Sequence, residues 1–430
     1  MWYNIRMLKI EKIIPGGQAL ATDESGKKMF FWNALPGEIV EEYTITKNKS
    51  HYAEAIATKI SNPSQYRIEP QDECYLSTSP WQIMDYEYEL KTKQELVVEL
   101  FREHQISIDT SEIFTDNKIY GYRNKMEYAL YYDLEESKIF PAFHQRGSHR
   151  KIKITQSSIE RPEIFERAKQ IIDDLNDKGE EARKFQSMLI RCDQNGKVSG
   201  GLYENKKPHP VFDNLSDTIL GYNYSYSPNG FFQINLPVYE MALKEIKKHI
   251  NTENVLDLYA GVGTIGLSVA RDKNLTLVEV DKYAYSEMVK NCRMGSIEGH
   301  SEAAAEKQGA SPVTLAPWDA NCRRQTGRSD PSRKRTPSAI LAKSEDVLDY
   351  VAPDQTVILD PPRAGCDEKL ISHLLEVKPK TIIYLSCNPA TQARDVKALL
   401  GQYKIVDVKT FNFFPRTPHI ENLVILSLNK

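Results

Sequence analysis

The chain has 430 residues, room for two or three domains, and its 40% hydrophobic and 27% charged residues match an ordinary globular composition. The formal net charge of −3 excludes a basic field over the whole molecule, so a nucleic-acid partner must be met by a local patch. Six cysteines without paired spacing argue against a disulfide framework and for a reducing cytoplasm; no apolar run approaches the roughly 18 residues of a membrane span, and residues 1–6 lack an apolar leader core.

Residues 1–62 read as a small all-β module. Alternating stretches such as Met29-Phe30-Phe31-Trp32 and Glu38-Ile39-Val40-Glu41 are split by the turn signals Pro15-Gly16-Gly17 and Pro36-Gly37, and strands at this spacing predict a five-stranded barrel. Asn62-Pro63-Ser64 marks a linker into a mixed α/β region, residues 63–230. There Leu90, Leu96, Val97, Leu100 and Phe101 form one stripe of a helix predicted over 90–104, and a second helix is predicted near 162–176. Strands are predicted at 126–132, 188–191 and 198–202. The run from Phe143 to Lys153 is basic and carries a turn glycine; Arg146, Arg150 and Lys151 are its candidates for gripping a phosphate backbone.

From 231 to 430 helices alternate with apolar strands at 254–258, 275–280, 356–360 and 381–386, and two more strands follow near 404–411 and 422–428. That order predicts a doubly wound parallel sheet. Residues 295–337, rich in Ala, Ser, Pro, Gly and Arg, have little apolar periodicity and read as a disordered insertion.

Three strand ends in this last region carry chemistry, and ligands of open α/β sheets bind at such ends. Asp257-Leu258-Tyr259-Ala260-Gly261-Val262-Gly263 joins a strand to a helix through a glycine-rich turn, and Glu279 closes the next strand, where a carboxylate can bind a ribose diol. NAD and S-adenosylmethionine both fit that pattern. Asp360-Pro361-Pro362-Arg363 ends a further strand. The motif resembles that of S-adenosylmethionine enzymes, whose amino-group methylases usually follow it with Tyr or Phe; Arg363 disfavours that reaction here. Ser386-Cys387-Asn388-Pro389 puts a cysteine where its strand stops, the position of a nucleophile, although most free cysteines are inert core residues. Glu421, just before the last apolar strand, is a candidate base, with His419 as second choice.

Together with Tyr122-Arg123-Asn124-Lys125-Met126 and Ser227-Pro228-Asn229-Gly230-Phe231-Phe232-Gln233-Ile234-Asn235, these motifs resemble, in order and over nearly the whole chain, the RNA uracil-C5 methyltransferase family. The N-terminal module resembles a TRAM domain, an OB-like RNA-binding barrel. The resemblance implies an S-adenosylmethionine-dependent methyltransferase domain, with Gln233, Tyr259, Gly261, Gly263, Glu279 and Asp360 at the cofactor. It makes Cys387 the nucleophile and Glu421 the proton acceptor, and leaves Arg363 to steady an enolate. RNA is the expected partner, ribosomal ahead of transfer RNA, for a cytoplasmic monomer. A second cysteine, Cys366, would suit cytosine chemistry, but its place beyond the Asp-Pro-Pro turn favours uracil. Competing expectations are an RNA-binding protein without catalysis and an NAD-dependent oxidoreductase. Many relatives hold an iron–sulfur cluster on a Cys-x5-Cys-x2-Cys run plus a later cysteine. Here only Cys74 remains, with Ser79-Pro80-Trp81-Gln82 and Gln156-Ser157-Ser158 where the others would fall, so no cluster and no other metal is expected.

Overall fold

The computed structural model describes residues 7–109, 113–294 and 337–429. Residues 1–6, and the expected disordered insertion apart from its last residue, lie outside them. Among the described residues no helix is long and apolar enough to cross a membrane.

The N-terminal sheet has six short strands, Leu8–Lys9, Lys12–Ile13, Ala19–Thr22, Lys28–Trp32, Ile39–Asn48 and Tyr52–Ser61. The first and second of these lie at opposite edges of the sheet, yet only Ile10 and Glu11 separate them in the chain, so the sheet curls round on itself. Its inward positions, among them Leu8, Ala21, Phe31, Val40 and Ala55, are buried. Buried Glu38 anchors the linker: its carboxylate accepts from Arg67 Nε (2.6 Å) and Nη2 (2.7 Å) and from the Ser64 N–H (3.0 Å).

The first long helix runs Tyr86–Glu103. It starts four residues before the apolar stripe because Asp85 caps it, accepting from Tyr88 N at 2.8 Å, a signal the stripe alone does not carry. A six-stranded antiparallel sheet follows, with strands 125–133 and 187–192 at its centre. The helix Pro162–Asp177 covers it with Ile164, Phe165, Ala168, Ile171, Ile172 and Leu175. A hairpin, Leu215–Ile219 and Tyr222–Tyr226, leads on to the last domain.

That domain is built on one eight-stranded sheet: β1 (Ile113–Phe114), β2 (Asn254–Leu258), β3 (Asn274–Glu279), β4 (Ser338–Leu341), β5 (Gln355–Leu359), β6 (Thr381–Ser386), β7 (Tyr403–Phe411) and β8 (Glu421–Leu428). The spatial order is β4-β3-β2-β5-β6-β8-β7-β1. The chain therefore winds outward from β2 in one direction and from β5 in the other. Between these two strands lies the switch point at which such sheets open a crevice. β6 is buried at every residue, as its unbroken apolar run requires. The sheet departs from the expected all-parallel form at one end. β8 pairs antiparallel with both β6 and β7, because the nine residues 412–420 make no helical crossover and a short connection can only return antiparallel. β1 and β4, two and four residues long, carry too little pattern to read from sequence and were not expected.

Candidate active site

A cleft of about 1290 Å³ opens at the carboxyl ends of β2, β3, β5 and β6. It gathers Gln233, Tyr259, Gly261, Glu279, Asp360, Arg363, Cys387, His419 and Glu421 from six separated stretches of chain. Gly263 is not part of its lining; it lies one step behind, inside the turn.

The glycine-rich turn has the shape its residues dictate. Tyr259, Gly261 and Gly263 all have positive φ, at 65°, 58° and 87°. At Gly261 a Cβ would meet nothing within 4 Å, so the main chain there borders open space. Gly266 serves packing instead, since a Cβ there would stand 2.7 Å from Leu277 Cδ2. Asp257, the penultimate residue of β2, is fully buried; its Oδ2 accepts from Gly266 N at 2.8 Å, and burial pushes its pKa up to about 8. Glu279 is fixed at the end of β3 by three main-chain donors, Gly261 N (2.7 Å), Val280 N (2.8 Å) and Asp281 N (2.7 Å). Among the described residues no hydrogen bond reaches the Asp360 carboxylate, and burial lifts it to about 7.

Cys387 is half-buried immediately after β6. The helix Pro389–Leu399 begins right behind it, capped by Asn388. Asn388 Nδ2 (2.8 Å) and Thr391 Oγ1 (3.1 Å) both donate to the Arg363 carbonyl, which pins the Asp-Pro-Pro-Arg turn beside the cysteine. Burial, then Glu421 and Asp360, raise the Cys387 thiol to about 11, while the Arg363 guanidinium pulls the other way. Glu421 is only 5% exposed, and burial and Asp360 hold its carboxyl well above the usual range. His419 keeps solvent access at the cleft wall. Partial burial, with the nearby Arg363 and Lys93, pushes the imidazole down to about 4. The ring is then neutral near pH 7, and Nδ1 can accept from Arg363 Nη2 at 3.4 Å. A group so weakly basic is a poorer proton acceptor than an ionised Glu421.

The cleft also holds residues to which sequence reasoning gave no role. Lys125 donates to the carbonyls of Asn229 and Gly230, both at 3.2 Å, and burial followed by Arg191 lowers it to about 8. Arg123 lies beside it, and Phe231, 73% exposed, forms the lip above. Fully buried Arg191 holds that lip from behind, donating to the carbonyls of Phe232 (2.7 Å) and Gln233 (3.2 Å). Cys366 also lines the cleft, but its thiol is buried and raised to about 12.

The basic run lies outside the cleft lining. Arg146 stacks on Trp32 at 4.2 Å and donates to the Leu76 carbonyl, so it joins the N-terminal sheet to the central one. Lys151 Nζ donates to the Leu130 carbonyl at 2.9 Å, and Arg150 is exposed.

Around Cys74, oxygen and nitrogen side chains fill the ground. Gln82 Nε2 donates to Asp72 Oδ2 (2.9 Å) and Ser79 Oγ (2.7 Å), and Ser158 Oγ donates to the same Asp72 oxygen (2.6 Å). One thiol, raised to about 12 by burial and Asp72, does not make the thiolate set that an iron–sulfur cluster needs. Among the described residues no group of three or more His, Cys, Asp or Glu side chains is placed to hold a metal ion.

Residues 343–429 match the family model described as tRNA (uracil-5-)-methyltransferase. An uncharacterized RNA methyltransferase of Bacillus anthracis is 27% identical, over 93% of this chain and 92% of the relative. One from Nanoarchaeum equitans is 28% identical over 92% and 88%. The solved structure of Pyrococcus abyssi tRNA (uracil-54, C5)-methyltransferase in complex with S-adenosyl-L-homocysteine superposes with a TM-score of 0.71 at 21% identity, covering 98% of this chain and all of that one. The likeness gives the α/β methyltransferase fold.

Proposed function

The chain belongs to the RNA uracil-C5 methyltransferase family, and from that premise we propose that it methylates C5 of a uracil in folded RNA through a covalent Cys387 adduct. The observation that carries the mechanism is the meeting of Cys387, Arg363 and the buried Glu421 in a single cleft, beside a glycine-rich turn bordering open space. Uracil C5 is a weak nucleophile. Cys387 Sγ, adding at C6, pushes an electron pair toward C5 and O4, and Arg363 lies where it can steady the resulting enolate. S-adenosylmethionine, held by Gln233, Tyr259, Gly261, Glu279 and Asp360 with Gly263 shaping the turn, supplies the methyl group when bound. Glu421 then takes the C5 proton, the C5–C6 double bond re-forms, and the Cys387 sulfur leaves.

The reading extends to the rest of the chain, acting as a monomer. The curled N-terminal sheet is an OB-like TRAM module that adds RNA contact area, which favours ribosomal RNA. The second reading, transfer RNA, is favoured by the description of the matching family model. The Cys74 neighbourhood carries no iron–sulfur cluster, so protein purified anaerobically should be colourless and iron-free; about four irons per chain would overturn this. The deciding experiment incubates the protein with methyl-labelled S-adenosylmethionine and RNA from cells lacking the gene, then digests the RNA to nucleosides. Label in 5-methyluridine of the ribosomal fraction is expected. Label in transfer RNA would select the second reading, and label in 5-methylcytidine, or none, would reject uracil chemistry.

RNA grip is separable from structure within the basic run. Arg150→Ala should reduce the dependence of log K on log salt by about one unit, the release from one phosphate contact. Arg146→Ala should leave that slope unchanged and lower the melting temperature, since it undoes the Trp32 stack. The opposite pattern would make Arg146 the phosphate contact.

A further inference from the structure

The connection between β7 and β8 carries Phe414 and His419 into the cleft and leads directly to Glu421, the first residue of β8. It is held from the other end of the chain. Glu89 and Lys93, one turn apart on the helix Tyr86–Glu103, are both fully buried, as is Asn412. Lys93 Nζ donates to Glu89 Oε1 (2.9 Å), Asn412 Oδ1 (2.6 Å) and the Phe414 carbonyl (3.1 Å). The Glu89 carboxylate accepts from the Arg416 N–H with both oxygens (3.1 and 3.0 Å) and from Asn412 Nδ2 (3.2 Å). Nearby groups take the remaining main-chain atoms. Tyr122 Oη donates to the Pro415 carbonyl (2.9 Å) and Trp81 N to the Arg416 carbonyl (3.1 Å). Arg416 sits at φ 63°, a left-handed conformation that a non-glycine residue keeps only when its surroundings impose it.

Burying a cation and an anion costs more than an apolar contact of the same volume, so packing alone does not call for this pair. Its hydrogen bonds are spent almost wholly on the main chain and the amide of residues 412–416. We infer that Glu89 and Lys93 are positioning residues for the methyl-transfer reaction, clamping the β7–β8 connection so that Glu421 stands within reach of the C5 proton. The inference rests on the reading of Glu421 as the base. Neither residue lines the cleft; each acts through the segment it holds.

The test is steady-state turnover together with a denaturing gel that counts methylated protein–RNA adduct. Lys93→Met should cut kcat ~10–100-fold, the effect of a base displaced by about 1 Å. KM for S-adenosylmethionine should stay within about twofold, and methylated adduct should accumulate because the step that clears it has slowed. Lys93→Arg, which keeps the charge and the N–H donors, should recover most of kcat. Should the single variant fail to fold, Glu89→Gln with Lys93→Met removes both members of the pair together, while buried Arg416, 3.8 Å from Glu89, keeps its hydrogen bond to the Met84 carbonyl (2.6 Å). That double variant should fold and still accumulate adduct. Normal kcat and no adduct in a folded double variant would reduce the clamp to a structural feature and overturn the inference. Glu421→Gln, run in parallel, separates the two claims. Adduct in Glu421→Gln but not in the double variant refutes the clamp alone, whereas no adduct in either refutes the base assignment beneath it.

Discussion

Cys387→Ala will lose methyl transfer by on the order of 10⁴-fold or more, the scale seen when a catalytic nucleophile is removed, and will form no covalent complex with RNA. Both losses follow from one bond. Without sulfur at C6 there is no electron pair to make C5 nucleophilic, so product and adduct vanish together. The fold should survive, because Cys387 is only half-buried and its neighbours are held by other contacts: Asn388 and Thr391 grip the Arg363 carbonyl without it. The wild-type thiol adds a pH signature. It is raised to about 11 by burial and by Glu421 and Asp360, so below that value the thiolate fraction grows about tenfold per pH unit. Single-turnover adduct formation should therefore climb with pH from about 7 to 10. Adduct formation independent of pH over that window would mean that thiol ionisation does not limit the step. Continued methylation by Cys387→Ala would end the covalent mechanism.

Glu421→Gln will do the reverse to the adduct. The amide keeps the shape of the side chain but takes no proton, so the C5 proton stays and elimination of Cys387 stalls. Turnover should fall ~10²–10⁴-fold, the usual worth of a general base, while a slow-migrating band carrying both RNA and methyl label builds up. Adding Cys387→Ala should remove the band. The direction of the Glu421 shift sharpens the expectation. Its carboxyl is held well above the ordinary range, so the base form gains population as pH rises and kcat should rise with it. His419, pushed down to about 4, stays neutral through the same range and cannot produce that rise. If Glu421→Gln turns over normally, another group takes the proton and His419→Ala becomes the decisive variant.

Much of this cleft was legible because its chemistry sits at strand ends. An apolar run stopping at Asp360 or Cys387 tells where a side chain meets the crevice, and the glycines at 261 and 263 announce a turn of positive φ. The helix over 162–176 and six of the eight strands of the last sheet followed from the apolar pattern alone. Contacts made at long range were not legible. Arg146 reads as a free cation in a basic run, but its partners, Trp32 and the Leu76 carbonyl, lie far off in sequence. Glu89 and Lys93 look like an ordinary surface pair one helical turn apart, and nothing local reveals that both are buried. The antiparallel β8 was hidden for another reason. Its apolar run fits either strand direction, and only the lack of a helix in residues 412–420 separates the two.

The clamp also bears on how the protein comes to exist in its working form. Lys93 and Asn412 are 319 residues apart in the chain, and Glu89 and Arg416 are 327 apart. Contacts of such separation pay their loop-closure entropy before they return any stability, so they form late in folding. During synthesis, helix 86–103 therefore waits with a charged pair meant for burial until nearly the whole chain has been made. The proposed nucleophile and base share that dependence, since Cys387 and Glu421 both lie in the last tenth or so of the sequence. Partly made or C-terminally clipped chains thus lack both groups at once, and the clamp closes in one late step when helix 86–103 meets residues 412–416.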